Sequence, residues 1–195
     1  MVRNLTNKIK AGENHRTIGA PPILATILLA PIVDKICRET DYTVEISTGN
    51  RDELCDALIK NEVDLAIGFG DETPPAIVRR ELLDQEMTVL TPLKSSAQAS
   101  YSLSELIENE YPLVGLDTRD PLGLRLHQAI HAVDASYHSK ISVRSYSAAA
   151  ELVTYGNCNA VVDPWTAQHY QNKVQTAQLE PAIRVSVSLL HAEHY

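Results

Sequence analysis

The stretch from Thr17 to Gly68 constrains this chain most. A short strand, a helix opened by two prolines, a strand, a capped helix and an apolar strand follow one another there without interruption. Ile18 to Ala20 is predicted as a strand. Pro21 is held extended by Pro22, and Pro22 suits a first helical position, so a helix begins there and runs to about Glu39. Pro31 lies inside that helix and removes one backbone bond, which predicts a kink or an opened turn. Tyr42, Val44 and Ile46 alternate as a strand, and Asn50-x-x-Glu53 opens a helix whose buried stripe is Leu54, Ala57 and Leu58. Val63 to Gly68 reads as a strand covered on both faces.

A similar alternation recurs after Pro112: a strand to Leu116, a helix opened by Asp120-Pro121 with Leu122, Leu126, Ala129, Ile130 and Val133 on one face, a strand Ile141–Val143, a helix Ser147–Tyr155 and a strand Ala160–Val162. Two successive α/β runs imply two lobes with a ligand cleft between them. Between the runs lie two extended segments, Ile77–Leu83 and Met87–Thr91, then a Ser-rich loop and a capping box Ser102-x-x-Glu105. Residues 3–11 pattern as a short polar helix ended by Gly12, and the final alternation Ile183, Val185, Val187, Leu189 is a strand that carries the chain back toward the first lobe. The segment Ile23–Ile36 is apolar on most faces, so its own sheet, and a second subunit, are the surfaces available to cover it.

With 195 residues and a formal net charge of -8, the chain is long enough for two cores and too acidic overall to grip a phosphate backbone by itself. An acidic total leaves room for a small basic cleft. No apolar run approaches the ~18–20 residues of a membrane span, and the first residues have no secretory apolar core, which implies a cytoplasmic location if Met1 is the native start. Cys37, Cys55 and Cys158 have neither metal-type spacing nor an even count, which fits a reducing compartment, and only Cys158, in a turn after Gly156, has a local route to exposure. His127 and His131 stand at i,i+4 without a third ligand nearby in sequence, and His191-x-x-His194 is weaker, so no metal is assigned. Gly-x-Ser-x-Gly, Walker and Gly-x-Gly-x-x-Gly motifs are absent from the sequence, and no catalytic residue or cofactor is assigned.

Taken in order, the AGENHRTIGAPP entry, the LLAPIV run, the GNRDELCDALIKNEVDLAIG block and the AAAELVTYGNCNAVVDPW segment resemble the effector-binding domain of LysR-type transcriptional regulators, over about Lys8 to His194. The resemblance implies an α/β fold of two Rossmann-like subdomains joined by two crossover strands, like type-II periplasmic binding proteins. Residues 1–16 would be the end of the linker helix and linker, 17–88 with 186–195 a discontinuous first subdomain, and 89–185 the second. The family's N-terminal winged helix-turn-helix and its usual final helix have no counterpart here, which suggests a fragment that would reach DNA only through the missing domain. A small-molecule effector is implied, together with assembly as a homodimer or homotetramer and no membrane partner.

In that architecture helix N-termini meet at the carboxyl ends of parallel strands and favour anions. The candidate ligand-binding residues are Pro21, Pro22, Ile23, Asn50, Arg51, Phe69, Thr118, Arg119, Ser145, Tyr146 and Ser147. Phe69 and Tyr146 would supply apolar walls, and Arg51 and Arg119 would neutralise an acidic effector. Relatives often carry Ser or Thr where Pro21, Pro22 and Ile23 stand, so hydroxyl contacts from that entry are replaced here. The alternatives are a stand-alone solute-binding protein, which needs an export signal, and an enzyme on the same scaffold, for which Asp71, Asp117 and Asp163 are the available acids.

Overall fold

A computed structural model describes residues 14–193, so the helix expected over residues 3–11, and His194, lie outside the described residues. The chain divides into two compact units. One ends at Leu83 and resumes at Val187, and the other runs Asp84–Ser186.

In the first unit, β1 (His15–Ala20) pairs in parallel with β2 (Thr43–Thr48), from His15 opposite Thr43 to Ala20 opposite Thr48, and with β3 (Leu65–Phe69), Ile18 facing Leu65. Antiparallel to β3 runs β11 (Arg184–Ala192), with Val187 opposite Phe69, and β4 (Ile77–Glu86) closes a five-stranded sheet of order β2-β1-β3-β11-β4. Helix α3 (Arg51–Ile59) buries Leu54, Cys55 and Leu58 against Val63, Ala66, Ile77 and Leu190. Each fully buried leucine contributes about 1.5–3 kcal/mol relative to exposure.

The helical run after Pro21 has three parts: α1 (Pro22–Leu24), a π-helical turn Ala25–Leu29, and α2 (Ala30–Glu39). Pro31 has no N–H to give, and its ring crowds the preceding turn. That turn is widened, with the Ala30 N–H bonded to the Ala25 carbonyl, five residues back. Ile23, Leu24, Ala25 and Leu29 are buried, whereas no residue of α2 is, and Ile32 stays 47% exposed. Among the described residues full burial along the apolar run therefore ends at Leu29, and Val33 and Ile36 are half-buried. Edge strand β2 is also open, and Ile46, one of its alternating apolar residues, is exposed.

The second unit holds a sheet of order β6-β10-β5-β9, formed by β5 (Thr88–Thr91), β6 (Ser100–Tyr101), β9 (Ala160–Val162) and β10 (Gln175–Leu179). Strands β6 and β10 have no alternating pattern strong enough to announce them. A parallel pair, β7 (Gly115–Leu116) and β8 (Ser142–Val143), is shorter than the strand expected from Pro112, and Leu113 makes only a single bridge to Asn159. Side-chain caps start four helices: Ser102 for α4 (Leu103–Ile107), Asp120 for α5 (Pro121–Val133), Ser145 for α6 (Tyr146–Thr154) and Asp163 for α7 (Pro164–Tyr170). Leu122, Leu126 and Ile130 carry the buried face of α5, while Val133, expected on that face, is exposed at the helix end. The core joins Leu90, Val114, Ala149, Val153, Cys158 and Val162.

Strands β4 and β11 each pass from one unit to the other. Arg184 on β11 holds Asp84 and Glu86 at 2.7 and 2.9 Å, tying these strands together at the start of the second unit.

Candidate functional site

In the first unit, the carboxyl ends of β1, β2 and β3 present Pro21, the Gly49–Arg51 turn and Phe69. Pro21 is extended (ψ 147°), no side chain caps α1, and the Pro21 carbonyl receives the Ala25 N–H at 2.9 Å. Ile23 is buried in the core and Pro22 is exposed, so this entry offers backbone rather than polar side chains. Asn50 and Glu53 complete a reciprocal capping box: the Glu53 N–H donates to Asn50 Oδ1 at 3.0 Å and the Asn50 N–H to Glu53 Oε2 at 2.8 Å.

Arg51, the first residue of α3, is only 8% exposed. Its Nη1 donates to the Phe69 carbonyl at 3.1 Å, while Nη2 is buried without a hydrogen-bond partner. The guanidinium has no carboxylate within ion-pair distance among the described residues. A buried cation at a helix N-terminus, with one nitrogen unspent, is an anion-binding arrangement. Phe69 itself is buried, and its carbonyl serves to hold Arg51. The burial of Arg51 had a signal in the sequence: residues 51, 54, 55 and 58 fall at i, i+3, i+4 and i+7, so the arginine shares the buried stripe.

In the second unit, Thr118 and Arg119 follow β7 and are exposed. The Arg119 guanidinium forks onto Asp117, Nη2 to Oδ2 at 2.6 Å and Nε to Oδ1 at 3.1 Å, and the Arg119 N–H also donates to Oδ1. Those bonds from Arg119, with a smaller contribution from Arg144, hold the Asp117 carboxyl down at about 2. Ser145 spends its hydroxyl as a cap on the Ala148 N–H, and Ser147 is half-buried on the first turn of α6. Tyr146, expected as an apolar wall, acts through its hydroxyl, which donates to Asp120 Oδ1. Asp120 also accepts the Leu122 and Gly123 N–H groups; burial nevertheless pushes its carboxyl up, and burial beside that carboxylate raises the Tyr146 phenol strongly.

Thr118 and Arg119 open onto a groove of about 470 Å³ lying wholly within this unit; Ser145, Tyr146 and Ser147 do not line it. Its walls carry Asp117, Arg119, His127, His131, His138 and Arg144, five cationic or protonatable groups against one acid. The His127 and His131 rings lie 4.1 Å apart, and among the described residues no three potential ligands converge on a metal position. Sequence reasoning named Thr118 and Arg119 and paired His127 with His131, but it did not join them with His138 and Arg144, which come from the segment after the helix.

The thiols differ from expectation. Cys158 is buried, at 3% exposure, as is Cys55, and burial raises both thiols; Cys37 on α2 is the exposed one. Asn157 after Gly156 is exposed, but the Cys158 side chain itself packs into the core, so the route to solvent expected for it is closed.

Two α/β units joined by two strands, each with helix N-termini at the carboxyl ends of its strands, define a ligand-binding module of the type-II periplasmic-binding-protein class. The LysR substrate binding domain family matches residues 12–194, and the chain belongs to that family. It is similar to the HTH-type transcriptional regulator DgcR of Pseudoalteromonas sp, 27% identical over 198 residues that cover 99% of this chain and 67% of that protein. Among solved structures, a full-length OxyR variant from Pseudomonas aeruginosa superimposes with a TM-score of 0.80 at 17% identity, over 100% of this chain and 70% of that one. The sulfate-bound regulatory domain of an OxyR2 variant from Vibrio vulnificus gives 0.77 at 14% identity, over 93% and 88%. The bromide ion-bound regulatory domain of HypT from Salmonella typhimurium gives 0.73 at 15%, over 93% and 87%. The chain is an effector-binding regulatory domain of the LysR type.

Proposed function

We propose that this domain senses a small anionic effector in the cytoplasm and controls transcription through a ligand-dependent conformational change, with DNA contacted by a segment outside these residues. The observation that carries the anionic reading is Arg51, a buried guanidinium at the head of α3 with Nη2 unpartnered. Burying an unpaired charge is costly, and an effector carboxylate or similar oxyanion would supply the missing acceptor. The cationic lining of the second unit's groove, and the sulfate and bromide bound by two of the similar regulatory domains, support the same class. Asn50 and Arg51 are the polar contacts we assign within the first unit, and Thr118, Arg119, Ser145 and Ser147 those within the second. Pro21, Pro22 and Ile23 would contribute backbone, and Phe69 and Tyr146 position neighbouring groups.

No catalysis is proposed. Asp163 is fully buried, with both oxygens bonded to Thr166; Asp117 is held by Arg119; Asp71 lies 3.9 Å from Arg79. Each of these three acids takes part in a cap or an ion pair. The uncovered face of α2 is the surface we assign to a second copy of the chain.

A thermal-shift screen of small carboxylates and sulfate tests the reading. A ligand at 100 times its Kd stabilises the folded state by about 2.7 kcal/mol, which in a chain of this size raises Tm by roughly 5–10 °C. Arg51→Met should abolish the response. A wild-type chain indifferent to every anion, or a response that survives Arg51→Met, would remove Arg51 from the site.

A further inference from the structure

A second cavity, of about 180 Å³, lies within the second unit and shares no lining residue with the groove. Thr91 ends β5 and Asn159 precedes β9. Leu90 faces Ala160, so both sit at one end of that strand pair, opposite the end where Asp163 starts α7. Asn159 is 1% exposed. Its N–H donates to the Pro112 carbonyl, its own carbonyl accepts the Val114 N–H, and Nδ2 donates to the Tyr111 carbonyl at 3.2 Å. Because that carbonyl can only accept, the amide orientation is set, and Oδ1 is left buried without a partner. Ser95 repeats the situation in the same wall. Its N–H donates to the Pro92 carbonyl, its carbonyl accepts Gln175 Nε2 at 2.8 Å, and its buried Oγ has no partner.

Buried polar atoms are rarely left unpaired, and two orphans in one small cavity call for an occupant that donates hydrogen bonds. The one ionised group in the lining is Glu110, an acid, and tyrosines 101 and 111 supply aromatic walls. The Tyr111 ring already faces a cation, with the Lys94 ammonium 5.3 Å from its centroid. No cationic side chain lines the cavity, in contrast to Arg51 and the groove, so an anion is not the ligand here.

We propose that this cavity binds a small molecule carrying a primary ammonium group, its N–H donors shared among Asn159 Oδ1, Ser95 Oγ and the Glu110 carboxylate. Such a site is independent of the anionic effector and makes the second unit responsive to a second, oppositely charged solute.

Methylammonium is the probe. Titrated into the ¹⁵N-labelled chain at constant ionic strength, it should produce saturable NMR shifts at the Asn159 side-chain amide and at the Ser95 and Tyr111 backbone amides. Glu110→Gln, a surface change, should weaken binding about tenfold, the loss of one charge-assisted hydrogen bond. Asn159→Leu should abolish it where the variant folds. Shifts linear in concentration or reproduced by sodium chloride, which would mean that water alone fills the cavity, would overturn the proposal. So would unchanged affinity in Glu110→Gln, or equal saturable shifts with glycerol.

Discussion

Arg51 Nη1 donates to the carbonyl of Phe69 at 3.1 Å, linking the first residue of α3 to the last residue of β3 and aligning a buried guanidinium with a helix N-terminus. The Cys55 thiol is its other close polar neighbour, and Nη2 is left buried without a partner. The cost falls on the ligand-free protein.

Arg51→Met should therefore leave the stability of the ligand-free chain unchanged or raise it, since replacing a buried charge by an apolar side chain of similar length removes a desolvation penalty. Urea unfolding without added anions measures this. A loss of several kcal/mol would mean that Arg51 is a structural strut.

Asp117 is held well below the ordinary 3.8, at about 2, through the Arg119 fork. A folded-state value below the unfolded one contributes stability that is fully present above the unfolded value and is lost as pH falls through about 2. The carboxyl ¹³C titration should have its midpoint near 2 in the native chain and return toward 3.8 in Arg119→Ala.

Gly123 has no room for a side chain: a Cβ there would lie 2.1 Å from the Asp117 carbonyl oxygen. Gly123→Ala must push α5 away from the β7 loop, at about 1–3 kcal/mol for overpacking, so Tm should fall by several degrees. Because that loop carries Asp117 and Arg119, the Asp117 titration should shift upward in the same variant.

Thiol labelling should separate the cysteines. Exposed Cys37 should react with Ellman's reagent in the native chain, and Cys55 and Cys158, whose thiols are buried and raised, only on unfolding. Fast labelling of Cys158 would contradict its packing.

Ile32, 47% exposed on α2, should lie in the contact between two copies. Ile32→Glu is expected to convert a dimer to a monomer in sedimentation velocity without lowering Tm. A wild-type chain monomeric at high micromolar concentration would remove that face as an interface.

Local chemistry made much of this protein legible before any coordinates. The capping boxes at Asn50 and Ser102, the Asp120-Pro121 start, and the double proline before α1 act within four residues, so their effect on the backbone is the same wherever the segment packs. Alternation located β2 and β11, and a short apolar run located β3, because the periodicity and apolarity of a strand are set within its own few residues. The widened turn before Pro31 follows from a missing N–H.

Other features needed the tertiary structure because distant segments create them. Strands β6 and β10 are held by pairing, β10 with both β6 and β5, rather than by their own pattern, and among the described residues none buries a residue of α2 or β2 fully. Sequence named Arg51, Arg119 and Tyr146 as site residues by type and position. Their partners, Phe69, Asp117 and Asp120, were set by where β3, the β7 loop and α5 arrive. Burial decides what each group can do: it makes Arg51 an unspent cation, turns Tyr146 from a wall into a donor, and silences Cys158. The sequence alone determined most of the elements and the class of fold, because caps, prolines and periodicity are short-range. The charge balance and accessibility of the site were decided only when residues far apart in the chain were packed together out of water.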